Sequence, residues 1–372
     1  MTQADSAPGT PGFAHEAGRT DTGADMLARF TIAGWGTALP RRTVTNQELS
    51  QHLDTSDEWI VARTGIRERR IAGEGESTGP LAVEAAHQAL AAAELEPSDL
   101  DMVIVTTSTP EQPIPSTASG LTATLGINAG AFDLNAACAG FVYGLVVAGS
   151  LLQTGVARTL LLVGSDTMSR FIDPDDRSTA VLFGDGAGAV VLQASPATGA
   201  TGTGVADDAA GGLLACDLVG DPDAFDLLVV PAGGAGRPPT IETVEAGDHY
   251  LFMDGREVFR RAVRGVTDSI ARTLDRAGCK PDEVDLFIPH QANSRIIDAV
   301  LDRIGLPPER AVQTVDRHGN TSAASVPLAI GDYAAQHQLR DGSLILTSGF
   351  GAGLTVGTGL LRWTRSRRGP SL

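Results

Sequence analysis

From position 30 onwards the chain alternates short apolar runs with longer stretches whose apolar positions recur every three or four residues. Phe30-Thr31-Ile32-Ala33-Gly34, Met102-Val103-Ile104-Val105-Thr106-Thr107 and Ala131-Phe132-Asp133-Leu134 read as strands, because compact apolar runs bounded by polar or glycine residues suit buried sheet positions. Residues 81–93 have helical periodicity. So does the run with Val142, Leu145, Val146, Leu151 and Leu152, which ends near Gly155. Thr45 or Asn46 opens a short helix with Glu48 near its start.

The pattern then returns. Leu90, Ala93, Pro97, Asp101 and Ile104 are matched in order by Leu274, Ala277, Pro281, Asp285 and Ile288. At the same offset Thr159-Leu-Leu-Leu-Val-Gly-Ser165 resembles Ser343-Leu-Ile-Leu-Thr-Ser-Gly349, and two glycine-rich turns at 183–192 and 349–357 each lead into a strand. Three matches in order predict an internal duplication: two related α/β halves whose strands are covered by helices on both faces. The expected division is a disordered tail over 1–29, a first half over 30–197, a second half over 198–365 and a tail over 366–372. Residues 195–248, rich in Gly, Ala, Asp and Pro, read as an excursion of loops and short strands.

At 372 residues and 42% hydrophobic content the chain can bury a large core. Its three cysteines, Cys138, Cys216 and Cys279, form neither a CxxC pair nor a metal-like cluster, which points to a reducing compartment, by default the cytoplasm, and to no metal site. The first stretch lacks a signal-like apolar core, and nothing reaches transmembrane length. A net charge of -17 argues against general nucleic-acid binding, while a local basic patch remains able to receive an acidic partner.

Cys138 stands where the 131–134 strand gives way to a helix, among Ala136, Ala137, Ala139 and Gly140. Unpaired N–H groups and the positive helix end there favour a thiolate, and the small neighbours leave room for a substrate. A buried structural cysteine fits this stretch equally well. Two polar groups at the ends of other strands change the balance: Pro289-His290-Gln291-Ala292-Asn293 and His318-Gly319-Asn320-Thr321-Ser322. A cysteine, an imidazole and a neutral amide suit one chemistry. The thiolate takes an acyl group from a thioester, and His290 with Asn320 stabilises the enolate formed when a malonyl-type thioester loses carbon dioxide. The turn at 349–353 offers backbone N–H groups for the tetrahedral oxyanion.

Elsewhere, Trp59 with Arg63 and neighbouring arginines can grip a nucleotide, although a salt-bridged surface loop is the plainer reading. Arg256, Arg260 and Arg264 share one helical face, ordinarily a solvated one. Gly184-Asp185-Gly186-Ala187-Gly188 reads as a tight backbone turn and not a phosphate loop, since no Lys-Ser/Thr follows.

The motifs Asp57-Glu58-Trp59-Ile60, Arg63-Thr64-Gly65-Ile66, Ala136-Ala137-Cys138-Ala139-Gly140-Phe141, Gly184-Asp185-Gly186-Ala187-Gly188, Pro289-His290-Gln291-Ala292-Asn293 and His318-Gly319-Asn320-Thr321-Ser322-Ala323 together resemble ketoacyl synthase III, the initiating condensing enzyme of type II fatty acid synthesis. The resemblance covers nearly all of 30–363. It implies the five-layered αβαβα thiolase-like fold, a homodimer, and condensation of an acyl-coenzyme A (CoA) primer with malonyl-acyl carrier protein without metal or redox cofactor. It also implies a Cys138, His290 and Asn320 triad and an oxyanion hole from the backbone of Cys138 and Ala352. Trp59, Arg63, Arg177 and Arg256 would hold coenzyme A, and Arg260, Arg295 and Arg303 would receive acyl carrier protein. Departures from the family pattern bear on the primer: Gly351-Ala352-Gly353-Leu354-Thr355-Val356-Gly357 lacks two aromatics, Ile114 replaces a common Phe that closes the acyl pocket across the dimer interface, and Arg256 replaces an Asn. Ile114 and Leu354 are therefore expected at the acyl pocket, with a larger or branched primer. A degradative thiolase would carry a second cysteine in 349–357, and a non-catalytic subunit would lack Cys138. The remaining alternative is a starter-unit ketosynthase or acyltransferase of a polyketide or other secondary-metabolite pathway.

Overall fold

A computed structural model describes residues 26–195 and 211–364. The expected tails and the boundary at 197 and 198 fall largely outside the described residues. Of the first tail, 26–29 are described, and there the order begins earlier than expected: strand β1 spans Ala28–Ala38, with Ala28 buried in the central core.

Eight further strands join β1 in one sheet: β2 (Met102–Thr106), β3 (Gly130–Leu134), β4 (Thr159–Thr167), β5 (Asp185–Ala194), β6 (Gly212–Gly220), β7 (Leu286–Pro289), β8 (Leu344–Gly351) and β9 (Thr355–Arg362). Their order is β7-β8-β9-β6-β1-β5-β4-β2-β3. β2 runs parallel to β3 and β4, and β4, β5 and β1 then pair antiparallel. The other side repeats this plan: β7 runs parallel to β8, and β8, β9 and β6 pair antiparallel. A single parallel bridge, Phe287 to Ala311, stands in the place of β3. The two halves meet through the short β1 to β6 register Ala28 with Leu213 and Arg29 with Gly212.

Helices make the other three layers. After the expected one-turn helix at Asn46–Leu49, capped by Thr45, come helices α1 (Asp57–Thr64), α2 (Thr78–Ala93) and α3 (Thr117–Leu125), and α2 and α3 cover the outer face of the first half. Alanine-rich α2 lies close on β1 because of Gly34 and Gly36; a Cβ on Gly36 would stand 2.2 Å from the Ala85 carbonyl. Helices α4 (Gly140–Gln153) and, later, α7 (Ser325–Gln336) fill the middle layer, where Phe141, Leu145 and Val326 pack with Phe30, Leu162, Ile288 and Ile345. Helices α5 (Gly255–Ala277) and α6 (Ser294–Ile304) cover the second half through Val263, Ile270, Ile297 and Val300. Each such fully buried aliphatic side chain contributes about 2 kcal/mol. The result is the αβαβα sandwich with duplicated halves. Among the described residues no helix is long and apolar enough to cross a membrane.

Three local expectations change. The 56–70 segment is no surface loop: Ser56 caps α1 by accepting from the Trp59 N–H, and a strand Glu68–Ile71 follows. Gly186 and Gly188 lie at the start of β5, with Gly184 just before it, and they serve close packing in place of a turn; a Cβ on Gly188 would stand 2.8 Å from Leu328 N. Within the excursion, Leu213 and Leu214 lie in β6, and Leu228–Val229 pairs with Phe252–Met253.

Candidate active site

Cys138 lies in a turn of 3-10 helix, Ala137–Ala139, that runs straight into α4. Gly351 at the end of β8 holds this turn from the other side, since a Cβ there would be 2.5 Å from Cys138 N and 2.7 Å from Ala137 Cβ. That close backbone approach brings Ala352 to the cavity into which Cys138 faces. Thr355 ties the walls together: its Oγ1 donates to the Ala136 carbonyl at 3.0 Å.

The electrostatics reverse one expectation. The helix end does not yield a resting thiolate; Cys138 is buried, and burial pushes its thiol up to about 12. Burial likewise brings His290 down to about 3, so its imidazole is neutral. His290 follows β7, its N–H donating to the Ser348 carbonyl at 2.7 Å, its Nδ1 2.6 Å from Ser325 Oγ, and its ring edge-on to Phe350 at 5.4 Å. His290 Nε2 is buried with no hydrogen-bond partner among the described residues.

Asn320 is locked by its backbone, donating to the Leu182 carbonyl and accepting from Gly184 N–H. Its Oδ1 accepts from the Ser322 N–H at 2.9 Å, which reserves Nδ2 as a donor. Ser322 lines the cavity beside Cys138, and Ser325, four residues after Thr321, holds His290. Thus one short segment, 320–325, holds both polar groups, and of these residues Ser322 lines the cavity with Cys138, whereas His290 and Asn320 are not on its wall. His318 is engaged elsewhere, with Nε2 2.8 Å from Asp332 Oδ2. Cys216 lies in β6 and Cys279 just past α5, both half-buried and free.

The cavity over Cys138 has a volume near 490 Å³ and a mostly apolar wall. Met168, Phe171, Phe183, Phe225, Leu228 and Leu251 line it. Sequence reading missed these residues because three of them lie in or after the compositionally plain excursion, whose fold over the site no local pattern signals. One expected wall residue lies elsewhere. Leu354 is buried on the far side of its turn, facing a separate polar cavity of 430 Å³ with Arg260 and Arg264, because Asp221 N–H binds the Leu354 carbonyl and draws the turn that way. Ile114, expected at the pocket of a second copy across a dimer interface, is 87% exposed on a loop.

The guanidinium groups of Arg63 and Arg177 each sit 4.9 Å from the centre of the Trp59 ring. Arg177 Nη1 donates to the Asp54 carbonyl at 2.7 Å. Asn293 Nδ2 donates to the Arg63 carbonyl, so α1 abuts α6, where exposed Arg295 lies over Phe259 at 5.6 Å. Arg256, Arg260 and Arg303 are also exposed on α5 and α6, Arg260 pairing with Glu257.

Duplicated halves with a buried cysteine at the inner helix start define a thiolase-like condensing-enzyme fold. Two family models match, both described as 3-oxoacyl-[acyl-carrier-protein (ACP)] synthase III: residues 132–209, and, for the C-terminal part, 274–363. The chain is 48% identical over 340 residues to the β-ketoacyl-[acyl-carrier-protein] synthase III of Roseiflexus castenholzii, covering 91% of this chain and 99% of that one. It is 47% identical over 338 residues to that of Erythrobacter litoralis, covering 91% and 100%. Among solved structures, the 3-oxoacyl-(acyl carrier protein) synthase III of Pseudomonas aeruginosa is 45% identical with a TM-score of 0.81, covering 91% and 99%. The priming β-ketosynthase of a polyketide biosynthetic pathway is 34% identical with a TM-score of 0.81, covering 94% and 100%. The chain belongs to the β-ketoacyl-acyl carrier protein synthase III family.

Proposed function

We propose that this chain condenses an acyl-coenzyme A primer with malonyl-acyl carrier protein, releasing carbon dioxide and giving 3-oxoacyl-acyl carrier protein, and so initiates fatty acid or related polyketide synthesis. The observation that carries this reading is the pair of uncommitted amide and imidazole groups, Asn320 Nδ2 and His290 Nε2, held by one segment whose Ser322 shares a cavity wall with the buried Cys138. Plain acyl transfer has no enolate to stabilise and so no need of such a pair.

In the first half-reaction Cys138 Sγ attacks the primer thioester and coenzyme A leaves. In the second, the malonyl thioester oxygen accepts hydrogen bonds from His290 Nε2 and Asn320 Nδ2 as carbon dioxide departs. Neutral donors suffice there, because a buried, water-poor site strengthens their hold on developing negative charge. The enolate carbon attacks the acyl group on Cys138, with the Cys138 and Ala352 N–H groups receiving the oxyanion. The reading draws on no metal or redox cofactor; coenzyme A and carrier protein enter as substrates.

The Trp59, Arg63 and Arg177 stack suits the coenzyme A nucleotide, exposed Arg256 suits another part of the same substrate, and exposed Arg260, Arg295 and Arg303 suit an acidic carrier protein on a chain of net charge -17. Exposed Ile114 suits insertion into the cavity of a second copy, making a homodimer that works in the cytoplasm. The polyketide variant of this reading, starter-unit loading, gains support from the likeness to a priming ketosynthase.

Intact-protein mass spectrometry tests the proposal. A panel of acyl-coenzyme A thioesters should give a Cys138 adduct, absent in Cys138→Ala, that malonyl-acyl carrier protein converts to ketoacyl product, with four- to six-carbon primers outcompeting acetyl. An adduct that malonyl carrier leaves untouched while another acceptor discharges it would make the protein an acyltransferase.

A further inference from the structure

Attack by Cys138 requires that its proton go somewhere, and neither the helix end nor His290 provides an easy route in a buried site. Asp166, at the end of β4, is fully buried and without a salt-bridge partner among the described residues. Its Oδ1 is saturated by Thr107 Oγ1 at 3.0 Å, Ser108 N at 2.7 Å, Thr109 N at 3.1 Å and Thr109 Oγ1 at 3.0 Å. Its Oδ2 receives the Ala323 N–H at 2.9 Å, which leaves room for another donor. The Ser322 hydroxyl is buried, makes no hydrogen bond among the described residues, and lines the cavity with Cys138, while the N–H of the next residue, Ala323, is the one that reaches Asp166 Oδ2. Ser322 is held there at a cost, with a left-handed backbone at φ 51°, and Ala137 on the opposite side of Cys138 has φ 47°.

We propose that the Ser322 hydroxyl bridges Cys138 and Asp166 and relays the thiol proton to Asp166 Oδ2 as Cys138 attacks an acyl thioester. The S–H bond breaks as the proton passes to Ser322 Oγ, while the Ser322 hydroxyl proton passes to Oδ2. The new S–C bond then expels the coenzyme A thiolate, which takes the proton back by the same route. Transfer to Asp166 moves one negative charge within the buried site. Transfer to His290 would create two opposite charges there, and burial opposes each of them. Burial also raises Asp166 towards the protonated form, which suits it to accept. The other groups around the Cys138 turn do not compete: α4 brings Tyr143, whose hydroxyl is bound to the Val219 and Val356 carbonyls, β9 brings Arg362 at its far end, and β8 and the 322–324 turn carry no titratable side chain.

This inference deepens the proposed function and rests on Cys138 being its nucleophile, so the test uses a reagent that needs no acyl substrate. Alkylation of Cys138 by iodoacetamide is followed by intact mass from pH 6 to 10 in the wild type, Ser322→Ala and Ser322→Gly; glycine accepts the left-handed backbone without strain and keeps the fold intact. The relay predicts 10- to 100-fold slower alkylation near pH 7 in both variants, with the gap closing towards pH 10, where hydroxide replaces the acceptor. Wild-type rates in the variants, or a slowing equal at every pH, overturn it. Acyl-coenzyme A is run in parallel on the wild type: absence of an acyl adduct there refutes the condensing function and leaves the alkylation comparison to decide the relay.

Discussion

His290 Nδ1 lies 2.6 Å from Ser325 Oγ, and this buried pair couples the direction of the hydroxyl to the tautomer of the imidazole. When the hydroxyl donates, Nδ1 accepts and Nε2 carries the hydrogen that a thioester oxygen needs. Ser325→Ala removes that coupling, worth about 1 kcal/mol for one hydrogen bond. Malonyl decarboxylation should slow by roughly 5- to 10-fold while Cys138 acylation by acyl-coenzyme A is spared. Single-turnover assays of the two half-reactions separate these effects, and equal losses in both would remove the orienting role.

The neutrality of His290 has a stability consequence. Its folded value, about 3, lies below the ordinary 6.5, so between the two the unfolded chain binds a proton that the folded chain lacks. Stability should therefore fall as pH drops from about 6.5 towards 3, by up to about 1.4 kcal/mol per unit from this residue. Denaturant midpoints for wild type and His290→Gln across that range check it; the variant should show a shallower slope by about one proton.

Gly351 permits the backbone contact that forms the floor of the site, with a Cβ there placed 2.5 Å from Cys138 N. Gly351→Ala forces backbone apart from backbone, costing about 1–3 kcal/mol of stability. It also displaces Ala352 from the expected oxyanion position, so acylation should slow about 100-fold. Thermal melts and burst-phase acylation measure the two losses; acylation at the wild-type rate would remove Ala352 from that role.

Two guanidinium groups converge on the Trp59 ring at 4.9 Å. Trp59→Ala removes both contacts and the stacking surface, which predicts a KM for acyl-coenzyme A higher by about 5- to 30-fold, from about 1–2 kcal/mol of lost interaction. A truncated thioester lacking the nucleotide should show unchanged kinetics. If it is equally impaired, the stack is structural.

Much of this was legible in the chain itself. The repeat of Leu90 to Ile104 at Leu274 to Ile288 announced the duplication, because each copy builds a parallel strand pair at the same place in its half. Small residues around Cys138 and polar groups after apolar strands announced the site, since strand ends and helix starts have sequence signatures. The Trp59 segment was harder: Ser56 capping and the turn at Gly65 make it a helix, although its charged residues suggested a loop.

The sequence by itself determined the layered fold, the family, and which cysteine, histidine and asparagine to examine, since these depend on periodicity and short motifs. Tertiary structure alone decided that Cys138 rests as a thiol and that Leu354 turns away. It alone placed Phe225, Leu251 and Ser322 on the cavity wall with Cys138 and set Asp166 against the Ala323 N–H. The reason is that burial is collective. Asp166 takes its donors from Thr107, Ser108, Thr109 and Ala323, segments far apart in the chain, so its environment exists only once the two halves have closed around the site.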